Sequence, residues 1–286
     1  MSSTGPAVIK KKFSKLLTEL RKTEEAVLAF SGGVDSSFLL KAMKVAGLRI
    51  LAVTAASETM PKKDLLGSIS FTKELGVEHL IIKTEELHNE AFVSNPPERC
   101  FICKDELFKR IKAIAKENKY RFIFDGSNSD DLNDYRPGRK AATLYGVRSP
   151  LAECGFTKDE IRSMSKELGL NIWNKPSSPC LSSRFPYGQR ITSQALERVE
   201  KAEEFLRTLG IGDDVRVRNH GDTARIEVSE KEMHMLLSPA KRQLITKKLK
   251  SLGYKFVSLD LDGYKSGSMN RVLEKQDTGY KLPDAD

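Results

Sequence analysis

Residues Ala26–Leu40 read AVLAFSGGVDSSFLL, a short apolar run followed by a glycine turn and a second apolar run. Val27–Phe30 is too short for a helix and is typical of a buried parallel strand. Ser31–Gly33 breaks that strand, and Asp35–Ser37 suits the first turn of a helix. This order of strand, turn and helix holds phosphates, because glycines admit an anion and helix N–H groups face it. A Walker loop and a G-x-G-x-x-G fingerprint are both absent.

Composition limits the classes of protein to which the chain can belong. It has 286 residues and a net charge of +9, which permits RNA or a phosphorylated small molecule as a partner. Four cysteines in a chain of this length point to metal or catalytic use rather than to a disulfide scaffold. No apolar run approaches the roughly eighteen residues of a membrane span, and the first residues lack a signal-peptide core. We expect a cytoplasmic protein with no membrane association.

The first part of the chain alternates between strand and helix patterns. Such alternation predicts an α/β fold with a doubly wound parallel sheet, in which ligands bind at the carboxyl ends of the strands. The predicted strands are Val27–Phe30, Ile50–Val53, His79–Ile82 and Phe122–Phe124, and the predicted helices are Lys11–Lys22, Pro61–Leu75 and 98–118.

The later part follows another pattern. Thr157 and Glu160 form a capping-box pattern that opens a helix to Leu168. Beyond it we predict a smaller α+β domain and a polar tail, with domain limits at 1–175, 176–262 and 263–286. Its predicted elements are the helices Ser193–Leu209 and Ala240–Leu252 and the strands Asp214–Asn219, Thr223–Val228 and Lys255–Leu259.

Two polar segments are candidate binding loops. Asp125–Arg139, DGSNSDDLNDYRPGR, follows the fourth predicted strand, where the switch-point rule places ligands. Asn174–Arg190, NKPSSPCLSSRFPYGQR, contains Cys180 and has no periodicity. It reads as a domain junction or an active-site loop.

These motifs together carry a family resemblance. SGGVDSS resembles the pyrophosphate (PP) loop of the adenylating N-type ATP pyrophosphatases, which cleave ATP between its α and β phosphates. The chain as a whole is similar to the LarE family, which sulfurates the precursor of the nickel-pincer nucleotide. The resemblance implies the adenine nucleotide alpha-hydrolase-like fold, with residues 1–175 as the PP-loop domain. The other matching segments are PPERCFICK, DGSNSDDLNDYRPGR, RSPLAECGF, PCLSSRFPYG and VRVRNHGDTARIEV.

The resemblance implies a reaction in two stages. ATP with Mg²⁺ adenylates a carboxylate of a pyridinium biscarboxylate mononucleotide, and a sulfur nucleophile then displaces AMP to give a thiocarboxylate. Asp35, which would help to place the magnesium, and Cys180, at the sulfur-donating position, are the catalytic candidates. Arg184, Arg216 and Arg218 are ordinary surface charges or, near a phosphate, anion clamps. The remaining nucleotide-binding candidates are Ser31, Gly32, Gly33, Ser36, Ser37 and Gly126.

The cysteines depart from the simplest members of that family, in which one cysteine gives up its own sulfur and becomes dehydroalanine. This sequence adds Cys100 and Cys103, three positions apart on one helix face. Three cysteines are one ligand short of a four-cysteine cluster site. With Cys180 they predict a [4Fe-4S] cluster whose fourth iron takes sulfide, supplied as such or by a sulfur-donor protein.

Other readings of the cysteines stay open. Cys100 and Cys103 can be buried small hydrophobes, a redox pair, or half of a zinc site completed by His79 or His88. Cys154 has no partner at metal spacing and reads as structural.

Other functions also stay open. A cluster-dependent tRNA thiolase, an NAD or GMP synthetase, and a non-enzymatic AMP-binding module all share parts of the pattern. The tRNA enzymes usually carry further C-x-x-C pairs near their termini, and here the one C-x-x-C is internal, so no nucleic acid partner is expected. The resemblance also suggests a trimer-based homohexamer.

Overall fold

A four-stranded parallel sheet lies at the centre of the first of two structural units. The computed structural model describes residues 5–132, 138–265 and 267–273, and the units divide between Cys180 and Leu181. The sequence placed this division after residue 175. The segment that ends at Cys180 therefore belongs to the first unit.

The strands of the first unit pair in the order β3-β2-β1-β4. They are β1 (Glu25–Ala29), β2 (Arg49–Ala56), β3 (Glu78–Lys83) and β4 (Ile123–Phe124). The helices are α1 (Pro6–Arg21), α2 (Val34–Ala46), α3 (Lys62–Leu75), α4 (Glu90–Val93), α5 (Arg99–Glu117), α6 (Gly138–Leu144), α7 (Pro150–Glu153) and α8 (Lys158–Glu167). Short 3₁₀ turns lie at Glu86–His88 and Asp130–Leu132.

Both faces of this sheet are covered, as the run of apolar residues in β1 predicts. Successive side chains of a strand point to opposite faces. Ala26 and Leu28 pack into the cluster that contains residues of α1, α2 and α8, whereas Val27 packs with Phe108 and Ile111 of α5. The predicted doubly wound α/β fold is confirmed.

Local sequence signals explain where several of these helices begin and end. Gly76 ends α3 in the left-handed conformation, with φ +59°, where glycine is favoured. The first helix begins earlier than predicted, at Pro6 rather than Lys11, because proline fits the first turn, where no intrahelical N–H bond is needed.

The second unit is the predicted α+β domain. Its sheet has the order β5-β6-β7, with an antiparallel hairpin and one parallel edge, and α9 and α11 pack on its core. Helix α10 was missed by the sequence analysis, although Ser229 precedes it as the N-cap residue. The elements are α9 (Ser193–Thr208), β5 (Arg216–His220), β6 (Thr223–Glu227), α10 (Glu230–Leu237), α11 (Pro239–Ser251) and β7 (Phe256–Leu259), with 3₁₀ turns at Leu181–Arg184 and Ser268–Val272.

The polar tail predicted for 263–286 lies mostly outside the described residues, namely at 266 and 274–286. Throughout the part of the chain that the structure describes, every helix is too short or too polar to cross a bilayer.

The capping box of α8 is formed as predicted. Thr157 Oγ1 accepts from the Glu160 amide at 3.4 Å, and Glu160 Oε2 accepts from the Thr157 amide at 3.0 Å. Lys12 Nζ of α1 donates to the same carboxylate at 2.7 Å. The cap therefore helps to join α8 to α1.

We expect Thr157→Ala to lower the free energy of unfolding by about 1 kcal/mol, because one amide of the first helical turn loses its acceptor. Urea titration followed by circular dichroism measures this. Thr18→Ala, at an exposed position of α1, is the control and should change stability by less than about 0.5 kcal/mol. Equal midpoints for the two variants would contradict a stabilising cap.

Candidate active site

The glycine turn after β1 is held in a shape that only glycine adopts easily. Gly32 has φ +67°, and a Cβ there would lie 3.0 Å from Ser68 Cβ in α3. Ser31 Oγ accepts from the Gly33 amide at 3.3 Å and lies 3.1 Å from Ser36 Oγ. The turn leads directly into α2, whose first amides have no intrahelical acceptor. This geometry suits a bound anion.

The loop that follows β4 lies against this turn. A Cβ on Gly126 would lie 2.8 Å from both Cα and N of Ser36, so a side chain there would require the backbone to shift. Asp125 fixes the loop by accepting from the Ser127 amide at 3.1 Å and from Ser149 Oγ at 2.7 Å. The structure thus brings together two segments that the sequence had predicted separately.

Asp35 lies at the start of α2 with one oxygen engaged. Lys158 Nζ donates to Asp35 Oδ2 at 2.6 Å, while Oδ1 is buried with no hydrogen-bond partner among the described residues. Burial raises the pKa of Asp35, the nearby Lys158 ammonium opposes that rise, and the Asp131 carboxylate adds to it. A cation beside Oδ1 would relieve this cost of burial. The sequence analysis did not identify Lys158 as a site residue. The only feature of the sequence that could have marked it is its position directly after the capping residue Thr157.

A cavity of about 420 Å³ opens beside the glycine turn, at the carboxyl ends of the strands. Its volume lies in the range of small-molecule sites. All of its lining residues belong to the first unit. Besides Gly33 and Gly126, the lining residues with polar, charged or thiol side chains are Ser31, Asp35, Ser36, Thr54, Ser57, Thr59, Asp64, Glu86, Cys103, Lys104, Asp125, Ser127, Asp131, Ser178 and Cys180.

The segment before Cys180 is tied to the glycine turn through Asp64 of α3. Ser178 Oγ donates to Asp64 Oδ2 at 2.5 Å, and Lys175 Nζ lies 2.9 Å from Asp64 Oδ1. Lys175 also donates to the Gly32 carbonyl at 3.0 Å. These bonds place Cys180 at the cavity wall. Asp64 and Lys175 were not predicted, since nothing in the local sequence marks them.

The structure brings Cys100, Cys103 and Cys180 into one neighbourhood. Cys103 and Cys180 line the cavity, and Cys100 lies at the start of α5 with access to solvent. Desolvation and then the charge of Cys180 raise the pKa of Cys100. Burial, followed by the charges of Glu86, Cys180 and Cys100, raises the pKa of Cys103 well above its usual value. Reactive C-x-x-C pairs instead have a lowered pKa, so these shifts do not favour a redox pair.

Two other readings of the cysteines do not fit the geometry. His79 contacts Thr54 Oγ1 at 2.8 Å and Thr72 Oγ1 at 3.0 Å through its two ring nitrogens, so neither nitrogen is available to zinc. Within residues 5–132, 138–265 and 267–273, no three His, Cys, Asp or Glu side chains are grouped closely enough to hold a single metal ion. A reading of Cys100 and Cys103 as core hydrophobes fails because Cys100 is exposed. Cys154 is buried in the core of the first unit, consistent with a structural role.

Glu86 was also missed, and it lies beside these thiols. It is only 4% exposed, and its Oε1 accepts from Thr84 Oγ1 at 3.0 Å and from Cys103 Sγ at 3.6 Å. Its position beside the thiols depends on the turn after β3, so no sequence motif identifies it.

The three arginines of the second unit are buried, contrary to the reading as surface charges. Arg184 forms a two-pronged pair with Glu203, at 2.8 and 3.0 Å. Arg218 Nη2 donates to Glu227 at 2.6 Å, and the guanidinium of Arg216 lies 4.9 Å from the Tyr264 ring centre.

Charges compete within this group. Burial raises the pKa of Glu203, but the guanidinium of Arg184 and its hydrogen bonds bring it below the usual value. Burial and the charge of Arg184 lower the pKa of Arg216. The guanidinium groups of Arg184 and Arg216 lie close together, and such a pair of cations attracts an anion. The anion can be a carboxylate of the protein or an anionic ligand.

Sequence similarity to known proteins places the chain in a family. No protein-family model matches it. An uncharacterized protein of Synechocystis is 40% identical over 269 residues, which cover 94% of this chain and all of that protein. The pyridinium-3,5-bisthiocarboxylic acid mononucleotide synthase of Lactiplantibacillus plantarum is 38% identical over 271 residues, covering 94% and 97%. A tRNA-specific 2-thiouridylase of Desulforamulus reducens is 25% identical over 198 residues, covering 54% and 53%. The chain is a PP-loop protein and belongs to the LarE family of pyridinium-3,5-bisthiocarboxylic acid mononucleotide synthases.

Proposed function

We propose that this protein is an ATP-dependent sulfurtransferase that converts carboxylates of a pyridinium biscarboxylate mononucleotide to thiocarboxylates for nickel-pincer cofactor synthesis. The observation that carries the proposal is one cavity lined by both the phosphate-binding turn and two cysteine thiols. Adenylation supplies a leaving group that a carboxylate lacks, and a sulfur nucleophile nearby can displace it. AMP and pyrophosphate are the other products.

The glycine turn and Asp35 carry the adenylation step in this proposal. The amides of Gly32 and Gly33 and the start of α2 bind the phosphates, and Ser31, Ser36, Ser37 and Gly126 shape the nucleotide side. Carboxylate oxygens suit Mg²⁺, and the buried, unpartnered Oδ1 of Asp35 fits such a ligand. Lys158 adds positive charge at the same place, where phosphate charge must be balanced.

The cysteines carry the sulfur step. Cys100, Cys103 and Cys180 fit a [4Fe-4S] cluster because thiolates are its preferred ligands, and in a cluster each thiolate binds a different iron, so the three need not meet at one point. Such a cluster would supply sulfide, from free sulfide or a donor protein, for repeated turnover. In the competing mechanism Cys180 gives up its own sulfur once.

Three buried arginines of the second unit are the remaining binding candidates. We assign Arg184, Arg216 and Arg218 to the phosphate of the mononucleotide, since guanidinium groups match phosphate oxygens. Their burial beside Glu203 and Glu227 means that an alanine substitution also leaves a buried carboxylate short of its partner, which destabilises the fold. A homohexamer built from trimers remains part of the proposal.

We expect Asp35→Asn to reduce substrate-dependent pyrophosphate release by about 100-fold or more, because a neutral amide is a weaker ligand for the Mg²⁺ that would balance the phosphate charge. Pyrophosphate is measured with ATP and the mononucleotide, and the thiocarboxylate product by mass spectrometry. Asp159→Asn, at an exposed position of α8, is the control and should retain activity. A folded Asp35→Asn variant with normal release would remove Asp35 from the mechanism.

We expect alanine at Cys100, Cys103 or Cys180 to abolish iron binding after anaerobic purification, and Cys154→Ala to leave it intact. Each of the first three removes a thiolate ligand, whereas Cys154 lies in the core. Iron, acid-labile sulfide and turnovers per protein are measured together.

The sacrificial mechanism predicts a different result for the same variants. Cys100→Ala and Cys103→Ala would then complete one turnover, and mass spectrometry would find dehydroalanine at position 180 in used wild-type protein. Iron-free protein with that modification would exclude the cluster and leave the family assignment intact.

A further inference from the structure

Glu86 is a buried carboxylate with an unused oxygen in the candidate active site. It is 4% exposed and lines the cavity together with Cys103 and Cys180. Its Oε1 accepts from Thr84 and Cys103, but Oε2 is buried with no hydrogen-bond partner within the described residues. Leaving a buried acceptor unpaired is costly, and more so for a charged group. An unpaired oxygen of this kind is therefore a candidate ligand for a cation.

The other carboxylates that line the cavity have stronger partners. Asp35 pairs with Lys158, Asp64 with Lys175, and Asp125 accepts from two serines. Asp131 accepts from the Asn128 amide at 3.0 Å. Glu86 instead has one hydroxyl and one thiol, and the thiol stops donating once Cys103 becomes a thiolate ligand.

We propose that Glu86 is the fourth protein ligand of the cluster, bound to the iron that no cysteine reaches and exchangeable for hydrosulfide. This inference rests on the cluster in the proposed function, where three thiolates leave one position without a cysteine. Glu86 meets the requirement of proximity, because it already contacts Cys103. A carboxylate is a harder donor than a thiolate and binds iron less firmly in such a site, which suits a ligand that must leave.

The exchange balances in charge and bonds. The iron–oxygen bond to Glu86 breaks as an iron–sulfur bond to hydrosulfide forms, and one negative charge replaces another. No iron changes oxidation state. The freed carboxylate keeps the hydrogen bond from Thr84. In the absence of sulfide, Glu86 thus excludes water from the iron.

The test uses the full-length protein reconstituted anaerobically with iron and sulfide, freed of excess sulfide and reduced in water enriched in oxygen-17. Electron paramagnetic resonance then reports whether solvent oxygen binds iron. We expect no oxygen-17 broadening in the wild type or in the exposed neighbour control Glu85→Gln, and clear broadening in Glu86→Gln, because an amide ligates iron poorly and water takes its place.

A hydrosulfide titration of the same samples gives a second readout. With no carboxylate competing for the iron, Glu86→Gln should reach half-saturation at a hydrosulfide concentration about tenfold lower than the wild type. Broadening in the wild type, or equal hydrosulfide affinity in the two proteins, would overturn the role of Glu86 and leave the cluster standing. The wild-type spectrum decides this even where Glu86→Gln does not fold. Wild-type protein that binds no iron overturns the cluster and the Glu86 ligand together.

Discussion

The carboxylate of Asp64 links the phosphate-binding turn to the segment that carries Cys180. It accepts from Ser178 and pairs with Lys175, and Lys175 reaches on to the carbonyl of Gly32. Residues 174–180 have no regular secondary structure, so side-chain bonds must fix their position. Asp64 is almost fully buried, which strengthens each of these bonds and raises the cost of losing one. The bonds of Asp64 and Lys175 therefore help to hold Cys180 near the phosphate-binding turn.

Several buried carboxylates are paired with a cationic side chain. In the second unit Glu203 and Glu227 are almost inaccessible and each meets a guanidinium. A buried pair of this kind adds little net stability, but removing one partner is strongly destabilising. Arg218, for example, cannot be judged as a binding residue from an alanine variant alone. Glu86 differs from these carboxylates because its partners are neutral.

The sequence analysis correctly predicted the features that depend on residues close together in the chain. The strand–glycine–helix order around Gly32 and the capping box at Thr157 are local, and both formed as expected. Contacts between distant segments were not predictable, because no local pattern encodes them. Ser178 and Asp64 are 114 positions apart, and Lys158 and Asp35 are 123 apart. The sequence analysis had grouped the three cysteines as cluster ligands, but it had not identified the carboxylate that contacts Cys103.

The oxygen and the sulfur atoms that could bind metals come from different elements around the cavity. Carboxylates of Asp35 and Asp131 lie with Lys158 beside the glycine turn, and the thiols of Cys103 and Cys180 belong to other elements. Oxygen donors select magnesium and thiolates select iron–sulfur clusters, so separate donor sets would let one cavity hold both groups of the proposed function in distinct places. Glu86 provides an oxygen ligand atom in contact with a cavity thiol, that of Cys103. In the proposed cluster, the hard carboxylate oxygen of Glu86 would bind iron less firmly than the soft thiolates do. It therefore suits an iron position that must open for sulfur better than one with a purely structural role.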